Sequence, residues 1–179
     1  MVAEVVAELI DALPAGIVVT SPESLEAYRW DRAEDPMAAL PIAVVRAETT
    51  EQVQLAVGIA ARAGVPVVPR GAGTGLSAGA SSAQPALVIS LERMRGIEVD
   101  APTRVAVVQP GALNIEVKRA AAAHGLWYPP DPSSYEICSI GGNIATNAGG
   151  LCCVKYGVTS DYVLGLTVVL ADGRAVTLG

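Results

Sequence analysis

The residues with the clearest chemical potential form a loop that follows a short apolar run. Residues 65–68 are predicted to be a buried strand, and Pro69-Arg70-Gly71-Ala72-Gly73-Thr74-Gly75 follows. Glycine lacks Cβ, so this backbone can take positive φ angles and approach a ligand closely. Successive N–H groups of a turning backbone form a concave set of donors that suits phosphate oxygens. The loop therefore predicts a pyrophosphate site for a dinucleotide, in which Arg70 is the only cation between Gly64 and Ser90.

Two better-known phosphate motifs and a plain turn are the alternatives to this interpretation. The Walker motif requires a lysine after its second glycine, and the chain has no lysine before Lys118. Residues 73–78 match the Rossmann dinucleotide fingerprint, but that fingerprint should open a helix. Turn-forming residues follow instead over 79–85, which disfavours a Rossmann fold. For this stretch taken alone, a glycine-rich turn without a ligand stays open.

A second segment rich in glycine and small polar residues lies further along the chain. It begins with Pro130-Asp131-Pro132-Ser133-Ser134 and continues over 139–150, which contains the pairs Gly141-Gly142 and Gly149-Gly150. Ordering so many glycines is costly in backbone entropy, which makes sense where a backbone lies flat against a large planar ligand. Serine, threonine and asparagine then supply hydrogen bonds without bulk. A glycine-rich loop packed against protein is the alternative.

Composition places the chain among globular proteins and argues against several function classes. Its 179 residues, 51% hydrophobic and 17% charged, suffice for one domain with a good core. A net charge of −6 argues against a nucleic-acid surface, and no apolar run reaches the ~18 residues of a membrane-spanning helix. The acidic N-terminal segment without Lys or Arg is no secretory signal. The three cysteines, Cys138, Cys152 and Cys153, form no metal-binding pattern, so we expect the reduced thiols of a cytoplasmic protein.

Apolar periodicity predicts a first lobe that positions the glycine loop. Helices over 2–13 and from Ser21 to about Ala27 form an N-terminal extension, residues 1–40. A strand over 41–45, a capped helix from Thr49 and the strand over 65–68 form a unit whose two strands should be parallel. With a third strand over 86–90, they form a small parallel α/β lobe over 41–96. The glycine loop leaves the carboxyl end of a strand, where open α/β sheets bind ligands.

The second lobe, residues 97–179, is predicted to be mainly antiparallel, which makes the fold class α+β with two lobes. Strand pairs are expected at 96–100 with 104–109 and at 163–170 with 174–178. The second pair should be joined by a two-residue turn at Asp172-Gly173. An alanine-rich helix runs between them from about Asn114 to His124. An antiparallel lobe with so few strands would have unpaired edge strands, so we expect this lobe to be truncated at its C terminus.

Six short motifs occur together and in one order: residues 69–77, 108–111, 130–134, 139–150, 155–157 and 170–173. In this combination the chain resembles the FAD-binding (PCMH-type) domain of the vanillyl-alcohol-oxidase flavoproteins, from about Pro41 to Gly179. It looks most similar to the group that contains the glycolate oxidase FAD subunit, D-lactate dehydrogenase and D-2-hydroxyglutarate dehydrogenase. The combined motifs are highly specific for the fold and much less specific for the substrate.

The resemblance implies noncovalently bound FAD, with its pyrophosphate on residues 69–75. Some relatives attach FAD through a histidine in this loop, where Thr74 lies here, and Cys138 is poorly placed for attachment. The resemblance also implies that residues of the second segment line the rest of the cofactor: Pro130, Asp131, Ser133, Ser134, Ser139, Gly141, Gly142, Thr146, Asn147, Ala148 and Gly149.

The implied reaction is the oxidation of a D-2-hydroxy acid to the 2-oxo acid, with hydride transfer to FAD. It needs a base for the hydroxyl proton and cations for the carboxylate. The one histidine, His124, is predicted to interact with a helix terminus instead. In the family, the substrate residues belong to a later cap domain. We therefore predict no catalytic and no metal-binding residue in this chain, and no activity of the chain alone.

Two other functions stay open, namely the same fold acting on an ether lipid precursor, sugar or cell-wall precursor, or a scaffold without cofactor. The implied partners of the whole protein are a small 2-hydroxy acid and an electron acceptor or other oxidase subunits. Nucleic acid is not implied. The expected location is the cytoplasm, including its membrane periphery. The patch of Tyr28, Arg29, Trp30, Asp31 and Arg32 could line a ligand, but an anchoring contact is favoured.

Overall fold

The sheet of the first lobe has four short strands in the computed structural model, which describes residues 2–82 and 84–179. The strands are β1 (Val18–Val19), β2 (Ala43–Arg46), β3 (Val67–Arg70) and β4 (Leu87–Ser90). Strands β2 and β3 both run parallel to β4, and β1 pairs antiparallel with β2. The predicted parallel orientation of β2 and β3 is confirmed, but β4 lies between them, since the spatial order is β1-β2-β4-β3.

Strand β3 begins and ends two residues later than predicted because the preceding helix uses Val65 in its cap. Helix α3 (Thr50–Arg62) is followed by Gly64, which has a φ of 64°. The N–H of Val65 donates to the carbonyl of Ala60 at 2.9 Å, and that of Gly64 donates to Ala61 at 3.1 Å. This is the Schellman arrangement of a helix C terminus. At its other end, β3 includes Pro69 and Arg70, which were predicted as loop.

The N-terminal extension contributes to the core of the first lobe. Helix α1 (Val2–Ala12) packs against α3, and the short helix α2 (Pro22–Glu26) follows β1. The buried side chains of α1 and the segment after it join those of β2, α3 and β4 in one cluster, which includes Val5, Leu9, Leu13, Ile17, Val45, Ile59 and Ile89. The boundary at residue 40 stays a prediction. No helix within 2–82 or 84–179 is long and apolar enough to cross a membrane.

The strands of the second lobe form two antiparallel pairs, as predicted. Strand β5 (Ile97–Asp100) pairs with β6 (Val105–Val108), and β7 (Leu166–Val169) pairs with β8 (Ala175–Leu178). The mixed fold of a parallel lobe and an antiparallel lobe confirms the α+β class. The connecting segments contain α4 (Asn114–Ala122), α5 (Ile140–Thr146), α6 (Cys153–Tyr156) and a 3-10 turn (Thr159–Tyr162).

The turn between β7 and β8 differs from the prediction of a two-residue turn. The N–H of Leu170 donates to the carbonyl of Arg174 at 2.8 Å, so three residues, 171–173, form the loop. Gly173 ends it with a φ of 85°, which is typical of three-residue hairpins. The Nε2 of Gln54 in α3 donates to the carbonyl of Gly173 at 3.0 Å. This turn therefore docks on the first lobe, a contact that no local pattern indicates.

Tyr28 should make the stability of the first lobe sensitive to high pH. Its hydroxyl donates to Glu92 Oε1 at 2.6 Å, and burial, followed by this bond and the charge of Glu92, raises the pKa of Tyr28 to about 12. The unfolded pKa is about 10, so the contribution of Tyr28 is complete below pH ~10 and is lost as pH rises through the folded pKa.

We therefore expect the free energy of unfolding to fall less steeply above pH ~10 in Tyr28→Phe than in the wild type. Urea titrations across this range measure the slope, and Tyr135→Phe is the control. Equal slopes in Tyr28→Phe and wild type would contradict the assignment.

Candidate cofactor site

Residues 71–80 form the loop that leaves the carboxyl end of β3. The part of 79–85 that the structure describes contains no helix, and Ala83 of that predicted turn lies outside the described residues. Gly73 has a φ of 68°, which glycine adopts without steric cost. A Cβ at Gly73 would overlap the guanidinium of Arg70, because the backbone folds over that group. A positive φ angle and a close backbone approach are thus both present in the loop.

The amide groups of this loop offer a row of donors. Among the described residues, the N–H groups of Gly71, Gly73, Thr74 and Gly75 have no hydrogen-bond partner. These four residues are half-buried, and the loop leaves the end of a parallel strand, where α/β sheets bind ligands. Adjacent unpaired N–H groups in a turning backbone fit an anionic group such as a pyrophosphate. The donor set of the loop is therefore compatible with the phosphates of FAD.

The side chain of Arg70 lies elsewhere than the pyrophosphate interpretation expected. Arg70 is 8% exposed, and its Nη1 donates to the carbonyl of Ala80 at 3.2 Å while Nη2 donates to that of Trp30 at 2.7 Å. Burial lowers the pKa of Arg70, and the nearby charge of Asp31 acts in the opposite direction. The guanidinium is thus placed inside the loop and holds backbone carbonyls. The backbone carbonyl of Trp30 thus contacts Arg70, and the anchoring role of the patch over 28–32 stays a prediction.

The prediction of a flat backbone over 139–150 is wrong for most of that segment, which forms helix α5. Ser139 caps the helix, since its Oγ accepts from the N–H of Gly142 at 3.4 Å. The N–H of Gly141 donates to the carbonyl of Pro110 at 2.8 Å, and a Cβ at Gly141 would lie 2.8 Å from Pro110 Cβ. The glycines therefore permit close helix packing, which outweighs their low helix propensity.

The two glycine-rich segments meet at Ser139. Its Oγ also accepts from the N–H of Ala72 at 3.3 Å, across 67 residues of sequence. A Cβ at Gly71 would overlap Ser139 Oγ and would lie 3.6 Å from the nitrogen of Gly142. Ser139 is 2% exposed, so its hydroxyl serves as a buried joint between the loop and α5. The structure thus brings the first and second predicted site segments into direct contact.

Residues 130–134 contact the beginning of α4 and the chain just before Ser139. The carbonyl of Pro130 accepts from Asn114 Nδ2 at 3.2 Å, and Asp131 Oδ1 accepts from the N–H of Cys152 at 3.1 Å. A Cβ at Gly150 would overlap the carbonyl of Asp131. The Ser134 carbonyl accepts from the N–H groups of residues 137 and 138, while Ser133 is exposed. This segment is thus fixed against α4 and the chain around 150–152.

The polar groups at the end of α5 already form hydrogen bonds with other groups of the protein. Thr146 Oγ1 donates to the carbonyl of Gly142 at 2.9 Å, and Asn147 Oδ1 accepts from the N–H of Ser160 at 2.9 Å. The carbonyl of Ala148 accepts from Thr159 Oγ1 at 2.7 Å. Gly149 lies close to Val158, because a Cβ there would be 3.1 Å from Val158 Cγ1. These residues attach the 3-10 turn to α5, which leaves mainly their backbone for a cofactor.

Asn147 should contribute measurably to stability through its conformation. It ends α5 with a φ of 47° and a ψ of 53°, a left-handed conformation that costs alanine roughly 1–2 kcal/mol. We expect Asn147→Ala to lower the free energy of unfolding by about 2 kcal/mol. Asn147→Gly should lower it less, because glycine accepts this φ and loses only the bond to Ser160. Urea unfolding followed by tryptophan fluorescence measures both, and equal losses would contradict the role of the backbone.

Sequence reasoning missed several buried polar groups near the site. Asp31, 4% exposed, accepts from the N–H of Ala80 through Oδ2 at 3.3 Å. Asn114 and Asn143 are also buried, and within the described part of the chain Asn114 Oδ1 and Asn143 Nδ2 have no partner. Their position within a polar or helical stretch carries no signal of burial. Cys138, the thiol considered for flavin attachment, is 3% exposed and thus buried.

Comparison with known proteins agrees with this geometry. The profile of a family described as FAD binding domain matches residues 41–179. The glycolate oxidase subunit GlcD of Bacillus subtilis is 41% identical over 171 residues, which cover 91% of this chain and 36% of the relative. The D-lactate dehydrogenase of Archaeoglobus fulgidus is 42% identical over 173 residues, which cover 95% of this chain and 38% of the relative. The chain thus spans little more than a third of the length of these curated relatives.

Solved structures show the same fold at lower identity. An alkyldihydroxyacetonephosphate synthase superposes with a TM-score of 0.85 at 23% identity, over 98% of this chain and 34% of that chain. The family profile and the sequence relatives identify the family, and the solved structure shows the same fold. The chain therefore belongs to the FAD binding domain family and is related to FAD-dependent oxidoreductases of the glycolate oxidase and D-lactate dehydrogenase group.

Proposed function

We propose that this chain is the FAD-binding part of an oxidoreductase that converts a D-2-hydroxy acid, such as glycolate, D-lactate or D-2-hydroxyglutarate, to the 2-oxo acid. The observation that carries the proposal is the row of unpaired amides in the loop after β3, next to Ser139. When bound, FAD supplies the redox chemistry by accepting a hydride. The residues of this chain bind and orient the cofactor.

The proposed role of each residue in cofactor binding follows from whether its polar groups already form hydrogen bonds within the protein. The N–H groups of Gly71, Gly73, Thr74 and Gly75 would bind the pyrophosphate, since none has a partner among the described residues. Arg70 would act through the shape of the loop and not as a direct ligand, because its guanidinium already holds two carbonyls. The remaining predicted cofactor residues would contribute chiefly backbone atoms and, at Ser133, an exposed hydroxyl.

The substrate proposal rests on the relatives and extends to the whole protein. Their names include a glycolate oxidase subunit and a D-lactate dehydrogenase. Oxidation of a hydroxy acid needs a base and a carboxylate-binding cation, and we place these outside residues 1–179. The word subunit in the name of one relative supports further subunits or an electron-accepting partner for this protein as well.

The cofactor proposal is tested by titrating the 179-residue chain with FAD. We expect saturable binding of one FAD per chain, seen as a change in flavin fluorescence and in the absorption band at about 450 nm. Denaturation followed by ultrafiltration should release all flavin, because the binding is noncovalent. A chain that does not bind FAD would overturn the proposal, and flavin that stays with the denatured chain would overturn noncovalent binding.

The substrate proposal is tested with the whole protein that contains this domain. Anaerobic bleaching of its flavin by glycolate, D-lactate or D-2-hydroxyglutarate, with L-lactate as the control, is the expected result. Bleaching by a sugar alone would contradict the hydroxy-acid assignment and would keep the cofactor assignment. Bleaching by none of these acids, in a protein that holds FAD, would likewise overturn the substrate proposal.

A further inference from the structure

Two buried charged side chains hold the backbone of Ala80 at the far end of the cofactor loop. Its N–H donates to Asp31 Oδ2 at 3.3 Å, and its carbonyl accepts from Arg70 Nη1 at 3.2 Å. Asp31 is 4% exposed and Arg70 is 8% exposed. Both side chains therefore act on the same residue from inside the protein, where water competes little for these hydrogen bonds.

Two further hydrogen bonds link these contacts into one network. Arg70 Nη2 donates to the carbonyl of Trp30 at 2.7 Å, and the N–H of Asp31 donates to Ser81 Oγ at 3.1 Å. We call the five residues Trp30, Asp31, Arg70, Ala80 and Ser81 the loop clamp. It connects the N-terminal extension to both ends of the glycine loop. Trp30 and Asp31 lie outside residues 41–179, which the family profile covers.

The clamp determines how far apart the two ends of the loop lie. Arg70 is the last residue of β3 and is bonded to Ala80 across ten residues. Between them, Gly73 folds over the guanidinium, and a Cβ at Gly75 would lie 3.6 Å from Asp31 Oδ2. Two of the four residues with unpaired amides, Gly73 and Gly75, thus lie against the two clamp side chains. A ligand that needs this loop shape would have to order the loop itself if the clamp were absent.

We propose that Asp31 is a positioning residue for the cofactor, which acts by holding the glycine loop closed through Ala80 and Arg70. The proposal rests on the proposed function, because it assumes that this loop binds FAD. Asp31 does not attract the cofactor, since its carboxylate is negative like the phosphates. Its effect on affinity is conformational: the binding-competent loop is populated before FAD arrives.

This assignment makes an unusual prediction for Asp31→Asn. If simple charge repulsion dominated, removal of a negative charge near the phosphates would strengthen FAD binding. If the clamp dominates, binding weakens, because both carboxylate oxygens of Asp31 accept from backbone N–H groups: Oδ1 from Ala33 at 2.9 Å and Oδ2 from Ala80 at 3.3 Å. An amide has only one acceptor oxygen, so its NH₂ group must face one of these two donors and one bond is lost. The buried Arg70 also loses its nearby countercharge. We expect weaker binding, by about 10-fold for Asp31→Asn and about 10- to 100-fold for Asp31→Ala.

The test compares Asp31→Ala and Asp31→Asn with Asp35→Asn in the 179-residue chain. Asp35 lies in the same segment, and among the described residues its side chain accepts only from the N–H of Met37, so its variant should bind FAD like the wild type. Fluorescence titration measures the Kd for FAD. Hydrogen exchange without FAD measures opening of residues 71–80, which should exchange faster in both Asp31 variants while β7 and β8 stay unchanged.

The possible outcomes distinguish a failure of the loop clamp proposal from a failure of the proposed function. Asp31 variants with wild-type affinity, tighter binding in Asp31→Asn, or unchanged exchange at 71–80 would each overturn the clamp. A wild-type chain that binds no FAD overturns the proposed function, and the exchange comparison then decides the clamp independently. Should Asp31→Ala fail to fold, Ser81→Ala removes one clamp bond alone, and it should still accelerate exchange at 71–80.

Discussion

Replacing Gly71 by alanine is expected to weaken FAD binding by about 10- to 100-fold. The added Cβ would overlap Ser139 Oγ, the buried joint between the glycine loop and α5. Overpacking of this kind costs about 1–3 kcal/mol, and a difference of about 1.4 kcal/mol changes a binding constant tenfold. The loop must therefore move away from α5, which displaces the amides proposed to bind the pyrophosphate. Fluorescence titration with FAD gives the affinity.

Gly79→Ala is the matched control in the same loop. Among the described residues outside its direct neighbours, no heavy atom lies within 4 Å of a Cβ built at Gly79, and its φ is not in the left-handed region, so we expect wild-type affinity. Adding Ser139→Ala to Gly71→Ala removes the hydroxyl with which the Cβ overlaps, and it should restore part of the affinity. Equal affinities of Gly71→Ala and wild type, or equal losses in Gly71→Ala and Gly79→Ala, would contradict the role of this contact.

Replacing Gly150 by alanine should lower the free energy of unfolding more than Asn147→Ala does. Its Cβ would overlap the backbone carbonyl of Asp131, which cannot rotate away as a side chain can. The neighbouring backbone is also held, because the carbonyl of Pro130 accepts from Asn114 and Asp131 Oδ1 accepts from the N–H of Cys152. We expect the free energy of unfolding to fall by about 3 kcal/mol, at the upper end for overpacking. Urea unfolding followed by tryptophan fluorescence measures it.

Gly58→Ala provides a control of opposite sign. Gly58 lies inside α3, and outside the backbone of this helix the one described atom near a Cβ there would be Arg62 Nη1, at 3.7 Å. Glycine inside a helix destabilises by roughly 0.5–1 kcal/mol relative to alanine, so this variant should be more stable by a similar amount. If Gly150→Ala proves no less stable than Gly58→Ala, the close packing at Asp131 is refuted.

Local patterns in the sequence sufficed for most longer elements of the fold and for the loop, but not for β1, α5, α6 or the 3-10 turn. Apolar runs placed β2 and β4 almost at their observed bounds, and alternation placed the β5–β6 and β7–β8 pairs. Thr49 and Gly64 marked the ends of α3. These signals work because a helix cap or a strand period depends on residues close together in sequence. The glycine-rich composition of 71–79 likewise indicated a loop with positive φ and close approach before any contact was known.

Tertiary structure alone decided how these parts are used. The glycines over 141–149 predicted a flat backbone, but the cap at Ser139 and packing against Pro110 make residues 140–146 helical. Arg70 was expected to contribute its charge to the pyrophosphate site, and instead its guanidinium is buried inside the loop, near Asp31. The contacts between Arg70 and Trp30 and between Ala72 and Ser139 join residues 40 and 67 positions apart. Hydrogen bonds across such separations depend on the path of the whole chain, so no local periodicity or propensity encodes them.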